Sequence, residues 1–199
     1  MSALARSVAA YSMDEESAAN PDEEAPSDGD LVRAYRDGRV DAAFAELVRR
    51  YQTRLFRVVL GMVGDTSFAE ELTQRVLVKA ALRIRQLKEP QAFYAWTLSI
   101  ARTTTLDELR KASRKNVEYF EGQSMEEPAT TSDPGETQTV RAVLAKLSPD
   151  ERMVLVMADM QGLSSKEVAN ALGVKLSAAK MRVKRARDRF RELYGESTT

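Results

Sequence analysis

Residues 162–194 read GLSSKEVANALGVKLSAAKMRVKRARDRFRELY. This stretch decides the fold, and it reads as two helices joined by a tight turn. Ser164 and Glu167 have the spacing of a capping box. In that motif the serine oxygen accepts an early helical N–H, and the glutamate reaches back to the serine N–H. Val168, Ala169 and Leu172 give the short helix that follows an apolar face. Gly173 supplies the left-handed backbone that ends a helix, and Val174 and Leu176 are read as plugging the turn. From about Ser177 a second helix carries Lys180, Arg182, Lys184, Arg185, Arg187, Arg189 and Arg191. Its Ala179, Val183, Ala186 and Phe190 recur at helical spacing, so one face packs and the others stay wet. The sum is a helix-turn-helix with a positive second helix, the element that enters a DNA major groove. A basic helix alone would be an ordinary solvated face. The capped helix and the glycine turn before it tip the reading toward DNA.

Upstream of this motif, Ser148-Pro149-Asp150-Glu151 opens another helix by three agreeing rules: a serine N-cap, proline at the first position and glutamate at the third. That helix carries Met153, Val154, Val156 and Met157 and ends before Gly162. VRAVLAKL before it is a short helix. Residues 116–136 hold Glu118, Glu121, Glu126, Glu127, Asp133 and Glu136 with Pro128, Pro134 and Gly135, and no basic residue. They read as a flexible acidic linker, with a second domain over 137–195.

The N-terminal half is helical too. Residues 1–27 are acidic and rich in Ser, Ala and Pro, and read as a disordered tail. DLVRAYRDG forms a short helix ending at Gly38. Phe44, Leu47, Val48, Tyr51, Leu55, Val58, Val59 and Met62 mark a second helix over about 41–62, closed by Gly61 and Gly64. Ser67 and Glu70 suggest another capping box, starting a helix to about Leu87 with Phe68, Leu72, Val76, Leu77, Ala80 and Ile84 inside. Pro90 breaks the pattern. A fourth helix over about 91–113 packs Phe93, Trp96, Ile100, Leu106 and Leu109 and carries Arg102, Arg110 and Lys111. Phe93 and Trp96 read as core and Tyr94 as an exposed ring. No alternating strand pattern occurs, so the expected fold is all-α: two small helical domains, one over 28–115.

Composition narrows the function. With 43% hydrophobic and 30% charged residues the chain can build a core and stay soluble. It has no cysteine and no histidine, which removes disulfides, Cys/His zinc sites and Ser-His or Cys-His catalysis. No glycine-rich phosphate loop is present, so no catalytic role and no cofactor are expected. No run approaches a membrane span. Net charge is zero, but acid gathers in the N-terminal arm and base in the last helix, and the local patch decides what nucleic acid meets.

Both halves resemble the extracytoplasmic-function (ECF) group of the sigma-70 family. The resemblance rests on DLVRAYRDGRVDAAFAELVRRY, GDTSFAEELTQRVLVKA and FYAWTLSIARTTTLDELRK in the first half. In the second it rests on LAKLSPDERMVLVMADMQGLSSKEVANALGVKLSAAKMRVKRAR. It implies a bacterial cytoplasmic protein that binds core RNA polymerase, at the β′ clamp helices and β flap, and directs it to promoter DNA. Glu71, Leu72, Gln74 and Arg75 match the polymerase-binding positions, with Arg75 where the family usually has an acid and Ala81 where it has an aromatic. The loop and helix start that capture a flipped −10 base correspond to 87–94, with Lys88, Gln91 and Tyr94 as candidates; flipping costs a few kcal/mol and needs such partners. Arg102, Arg110 and Lys111 suit phosphates, and Thr103 stands where Asn is common. For the −35 element, Lys180, Met181, Arg182, Lys184 and Arg185 lie along the recognition helix, with Lys175 just before it. Arg and Lys can hydrogen-bond guanine there, and Met can touch a thymine methyl.

Many relatives are also held by an anti-sigma factor. Two other readings stay open: a sigma-like decoy that titrates an anti-sigma factor, and a helix-turn-helix regulator that works without polymerase.

Overall fold

The structure, a computed structural model, describes residues 25–38, 40–114, 140 and 142–197. The acidic tail up to residue 24 and the linker over 116–136 lie outside the described residues. Among the described residues all regular structure is helical, as the periodicity predicts. The N-terminal group comprises α1 (Asp28–Arg36), α2 (Val40–Val63), α3 (Thr66–Arg83) and α4 (Phe93–Arg114), with short 3₁₀ turns at Ile84–Gln86 and Pro90–Ala92. After a helical segment over 142–146, the C-terminal group follows. It comprises α5 (Pro149–Leu155), a π-helical turn at Val156–Met160, α6 (Ser165–Leu172) and α7 (Leu176–Ser197).

Local chemistry explains the boundaries. Full capping boxes start α1 at Ser27/Asp30, α5 at Ser148/Glu151 and α6 at Ser164/Glu167. Helix α3 differs from expectation. Its cap is Asp65, whose Oδ1 accepts the Phe68 N–H at 2.6 Å, and Ser67 already lies within the helix. The earlier acceptor wins because it stands outside the first turn, in extended backbone. Gly173 takes φ 64° and closes α6 as read. Gly64, at φ 74°, closes α2, whereas Gly61 lies inside that helix.

The Glu167 carboxyl is held below its ordinary value of 4.5, chiefly by hydrogen bonds from the Ser164 hydroxyl and backbone N–H. A carboxyl depressed by folding stabilises the fold above its unfolded pKa and loses that contribution as pH falls through the folded one. Ser164→Ala should therefore cost about 1 kcal/mol at neutral pH. The difference from wild type should shrink below pH 4.5, as chemical denaturation at several pH values would read.

Buried side chains from both helical groups form one continuous core, including Leu47, Leu55, Val58, Leu72, Ile84, Phe93 and Leu98 from the first and Met153, Met157, Val168 and Ala179 from the second. Helix α2 packs on α1, α3, α4 and α5, and α6 lies against α4. The halves read as separate in sequence are thus in direct contact. A Cβ on Gly61 would stand 2.4 Å from Val156 Cγ2, so the missing side chain is what lets the C-terminal group approach α2. Arg152, 5% exposed, is buried in the second half, where its guanidinium donates to the carbonyls of Leu144 and Ala145 at 3.3 and 3.2 Å. Burial lowers its pKa to about 10, so it stays charged at neutral pH and faces the negative end of the 142–146 segment.

Candidate nucleic-acid and polymerase interfaces

Helix α7 divides into two electrostatic halves. Ala179, Val183, Ala186 and Leu193 are buried, forming one stripe with Phe190 packed beside them. Toward the C-terminus the arginines are paired: Arg187 with Asp159 at 2.5 Å, Arg189 with Glu192 at 2.6 Å and Arg191 with Asp188 at 2.9 Å. Toward the N-terminus, Lys180, Arg182, Lys184 and Arg185 are exposed, and none appears in an ion pair among the described residues. Met181 is 47% exposed on the same surface. Lys175 is exposed just before the helix, and its carbonyl accepts the Ala179 N–H at 3.0 Å. Unpaired cations therefore gather at the end of the helix that enters a groove first. Leu176 departs from expectation: as the first residue of α7 it is 46% exposed, and Val174 alone packs the turn.

The candidates at the start of α4 are arranged differently from the sequence reading. Tyr94 is 8% exposed, not an outward ring. It stacks on Tyr51 at 4.7 Å, with the Arg54 guanidinium 4.4 Å from its ring centroid. Burial raises its pKa above the usual 10, and the nearby Glu167 of α6 adds to the rise. Sequence spacing could not reveal this, because the cover comes from elements distant along the chain. Trp96 is only partly buried, while Phe93 is completely so. Gln91 is engaged with α1: its Oε1 accepts the Gly29 N–H at 3.2 Å and its Nε2 donates to Ser27 at 3.3 Å. Lys88 is exposed. Thr103 is exposed and its hydroxyl donates to the Ser99 carbonyl at 3.0 Å. Arg110 and Lys111 are exposed and paired within the helix, to Asp107 and Glu108. Arg102 reaches across to Asp150 of α5 at 2.8 Å.

On α3, Glu71, Gln74 and Arg75 are exposed, but Leu72 is fully buried and belongs to the core. Arg75 lies between two carboxylates, Glu71 at 2.5 Å and Glu108 at 3.3 Å, which offset its charge. Sequence reasoning missed Val78 and Leu82, which are 42% and 70% exposed. They continue the Glu71–Gln74–Arg75 face at helical spacing. The signal was present: both are apolar residues left off the core stripe of this helix.

Residues 47–115 match the family described as Sigma-70 region 2, and residues 137–190 match Sigma-70, region 4. The ECF RNA polymerase sigma factor SigE of Mycolicibacterium smegmatis is 30% identical over 178 residues, covering 84% of this chain and 69% of that protein. The chain belongs to the ECF sigma factors. RNA polymerase sigma factor CarQ of Myxococcus xanthus is likewise 30% identical, over 83% of this chain and 96% of its own length. Among solved structures, the sigma factor RpoE of Bartonella quintana, in complex with the anti-sigma factor NepR, has a TM-score of 0.63 at 25% identity. The match covers 75% of this chain and 95% of that one. Sigma factors are transcription initiation factors rather than catalysts. Among the described residues no helix of this sigma factor is long and apolar enough to cross a membrane.

Proposed function

We propose that this sigma factor binds core RNA polymerase in the bacterial cytoplasm and directs it to promoters, with residues 28–115 engaging polymerase and the −10 element and residues 137–195 engaging the −35 element. Residues 116–136 link the two. The observation that carries this reading is the set of exposed, unpaired cations on the first half of α7. Lys180, Met181, Arg182, Lys184 and Arg185 read the −35 bases and adjoining phosphates, and Lys175 reaches the backbone. Lys88, Arg102, Thr103, Arg110 and Lys111 meet the −10 region, and Gln91 would have to leave α1 to do so. A fully displayed recognition surface also speaks against a decoy, which needs no such face. An anti-sigma factor is a further partner of the kind that RpoE has in its solved complex.

The test is transcription in vitro with purified core polymerase on genomic DNA, mapping the start sites. Specific starts require both components together; failure to form a complex at low salt overturns the proposal. Within that assay, Arg185→Ala should cost about 1–3 kcal/mol at one base pair of the −35 site. An equal loss on all sequences would make Arg185 a phosphate contact instead.

A further inference from the structure

We propose that α1 shapes the −10 site from behind, as a template that ties down both ends of the loop joining α3 to α4 and so sets which base that loop accepts. The inference rests on the reading of residues 87–94 as the −10 site. Helix α3 runs into the 3₁₀ turn Ile84–Gln86, and carbonyls at a helix end lack the next turn of N–H donors. Arg36, the last residue of α1, meets them. Its Nη2 donates to the Ile84 carbonyl at 2.9 Å and to the Leu87 carbonyl as well. The neighbouring Tyr35 hydroxyl donates to the Ala81 carbonyl at 3.2 Å. At the other end of α1, the Gly29 N–H is one of the donors that a helix start leaves over. It donates to Gln91 Oε1 at 3.2 Å, and Gln91 Nε2 donates to the Ser27 hydroxyl at 3.3 Å. A Cβ on Gly29 would stand 2.4 Å from Gln91 Nε2, so the bare glycine is what lets that side chain lie on the helix.

The two tethers sit on one helix of nine residues and leave residues 88–90 between them, where Lys88 and Glu89 are exposed. The helix is itself anchored. Leu31 and Val32 are buried, and Asp28 accepts the Tyr51 hydroxyl at 2.5 Å and pairs with Arg50 at 3.1 Å. Tyr51 in turn stacks on Tyr94, so α1 supports the loop and the ring behind it together. A pocket for a flipped base selects by shape and hydrogen bonding. Its selectivity depends on a supporting shell that holds the reading groups in place. Arg36 and Gln91 are positioning residues in this sense: Gln91 stays on α1, and Lys88 is a side chain the loop presents. The Arg36 contacts are part-buried and charge-assisted, whereas Gln91 is exposed and uncharged. Arg36 therefore has the larger effect.

The test uses the full chain with core polymerase, transcribing from a promoter library randomised across the −10 segment of a mapped start site. Core affinity, −35 preference and thermal unfolding are measured alongside. Arg36→Met keeps the stem and removes the donors. It should lower the preference for the best −10 base over the worst by about tenfold, with −35 preference and core affinity unchanged. Arg36→Lys, which restores a charged donor, should recover most of that preference. Gly29→Ala displaces Gln91 while favouring the helix, and should relax the preference by about threefold with no loss of stability. A sharper preference in Gly29→Ala would instead make Gln91 a base reader released from α1, and overturns the tether. Equal loss on every −10 sequence in Arg36→Met, or a lost preference that lysine does not restore, reduces Arg36 to fold support and overturns the template. Should Arg36→Met fail to fold, Gly29→Ala decides, and an unchanged preference there sinks the inference. Lys88→Ala combined with Glu89→Ala separates this inference from the −10 reading itself. If that double variant also leaves the preference unchanged, the reading of 87–94 fails and takes the inference with it. If it alters the preference while the α1 variants do not, the inference alone fails.

Discussion

Leu82→Glu should weaken binding to core polymerase by about 30-fold, the equivalent of roughly 2 kcal/mol for an apolar anchor lost from the centre of an interface. The side chain is 70% exposed on α3. A leucine so placed contributes nothing to the core, and its replacement by a good helix former should change stability by less than about 0.5 kcal/mol. Exposed apolar area next to the charged face of Glu71, Gln74 and Arg75 is what a docking patch with a polar rim looks like. Glutamate keeps the helix and converts the anchor to a desolvation penalty. The check is a fluorescence titration of labelled protein with core enzyme, alongside thermal unfolding. Val78→Ala should give a smaller loss, since Val78 is less exposed. Unaltered affinity in Leu82→Glu would move the docking surface off this face of α3.

The helices were legible because their signals are local. A serine followed three residues later by a glutamate marks two capping boxes as read, at Ser148 and Ser164, and the left-handed turn at Gly173 needs no partner to be read; the box at Ser27, which starts α1, falls in the stretch that reads as a disordered tail. The recognition helix was legible for the same reason: Ala179, Val183 and Ala186 repeat at the helical period, so the cations between them must face outward. Where two local acceptors competed, as Asp65 and Ser67 did, the sequence pattern chose the wrong one, and the difference of two residues in position decides which N–H is reached.

What the sequence hid is tertiary. Tyr94 reads as a surface ring because nothing within a few residues covers it; its partners Tyr51 and Arg54 come from another helix. Gln91 reads as a base contact, yet its amide is drawn to the start of α1, more than sixty residues earlier, at Gly29. Gly61 reads as a helix end because glycine is a poor helix former. Its reason is the approach of Val156 from the other half of the chain. The π-helical turn at Val156–Met160 has no sequence signature that we recognise.

Phe93→Ala should destabilise the fold by about 3–5 kcal/mol, the usual cost of emptying a fully buried aromatic site. Phe93 is 0% exposed at the first turn of α4. Its ring lies 6.0 Å from Tyr51 and 6.2 Å from Trp96, centroid to centroid, so it joins α2 to α4 and supports the stack beneath Tyr94. Its carbonyl also accepts the Thr97 hydroxyl at 2.8 Å, a contact the backbone keeps in the variant. The loss is therefore one of packing and not of helix start. Set against a typical total of about 5–15 kcal/mol, it would leave the fold marginal. In urea the midpoint should fall while the slope stays constant, because the surface exposed on unfolding hardly changes. Phe93→Leu should recover most of the difference, since it keeps much of the volume. If alanine costs under about 1 kcal/mol, the site collapses around the gap and the α2–α4 contact is softer than its burial implies. Any change in −10 binding by Phe93→Leu at full folding would show instead that the ring positions Tyr94, because stability alone cannot alter affinity in a population already folded.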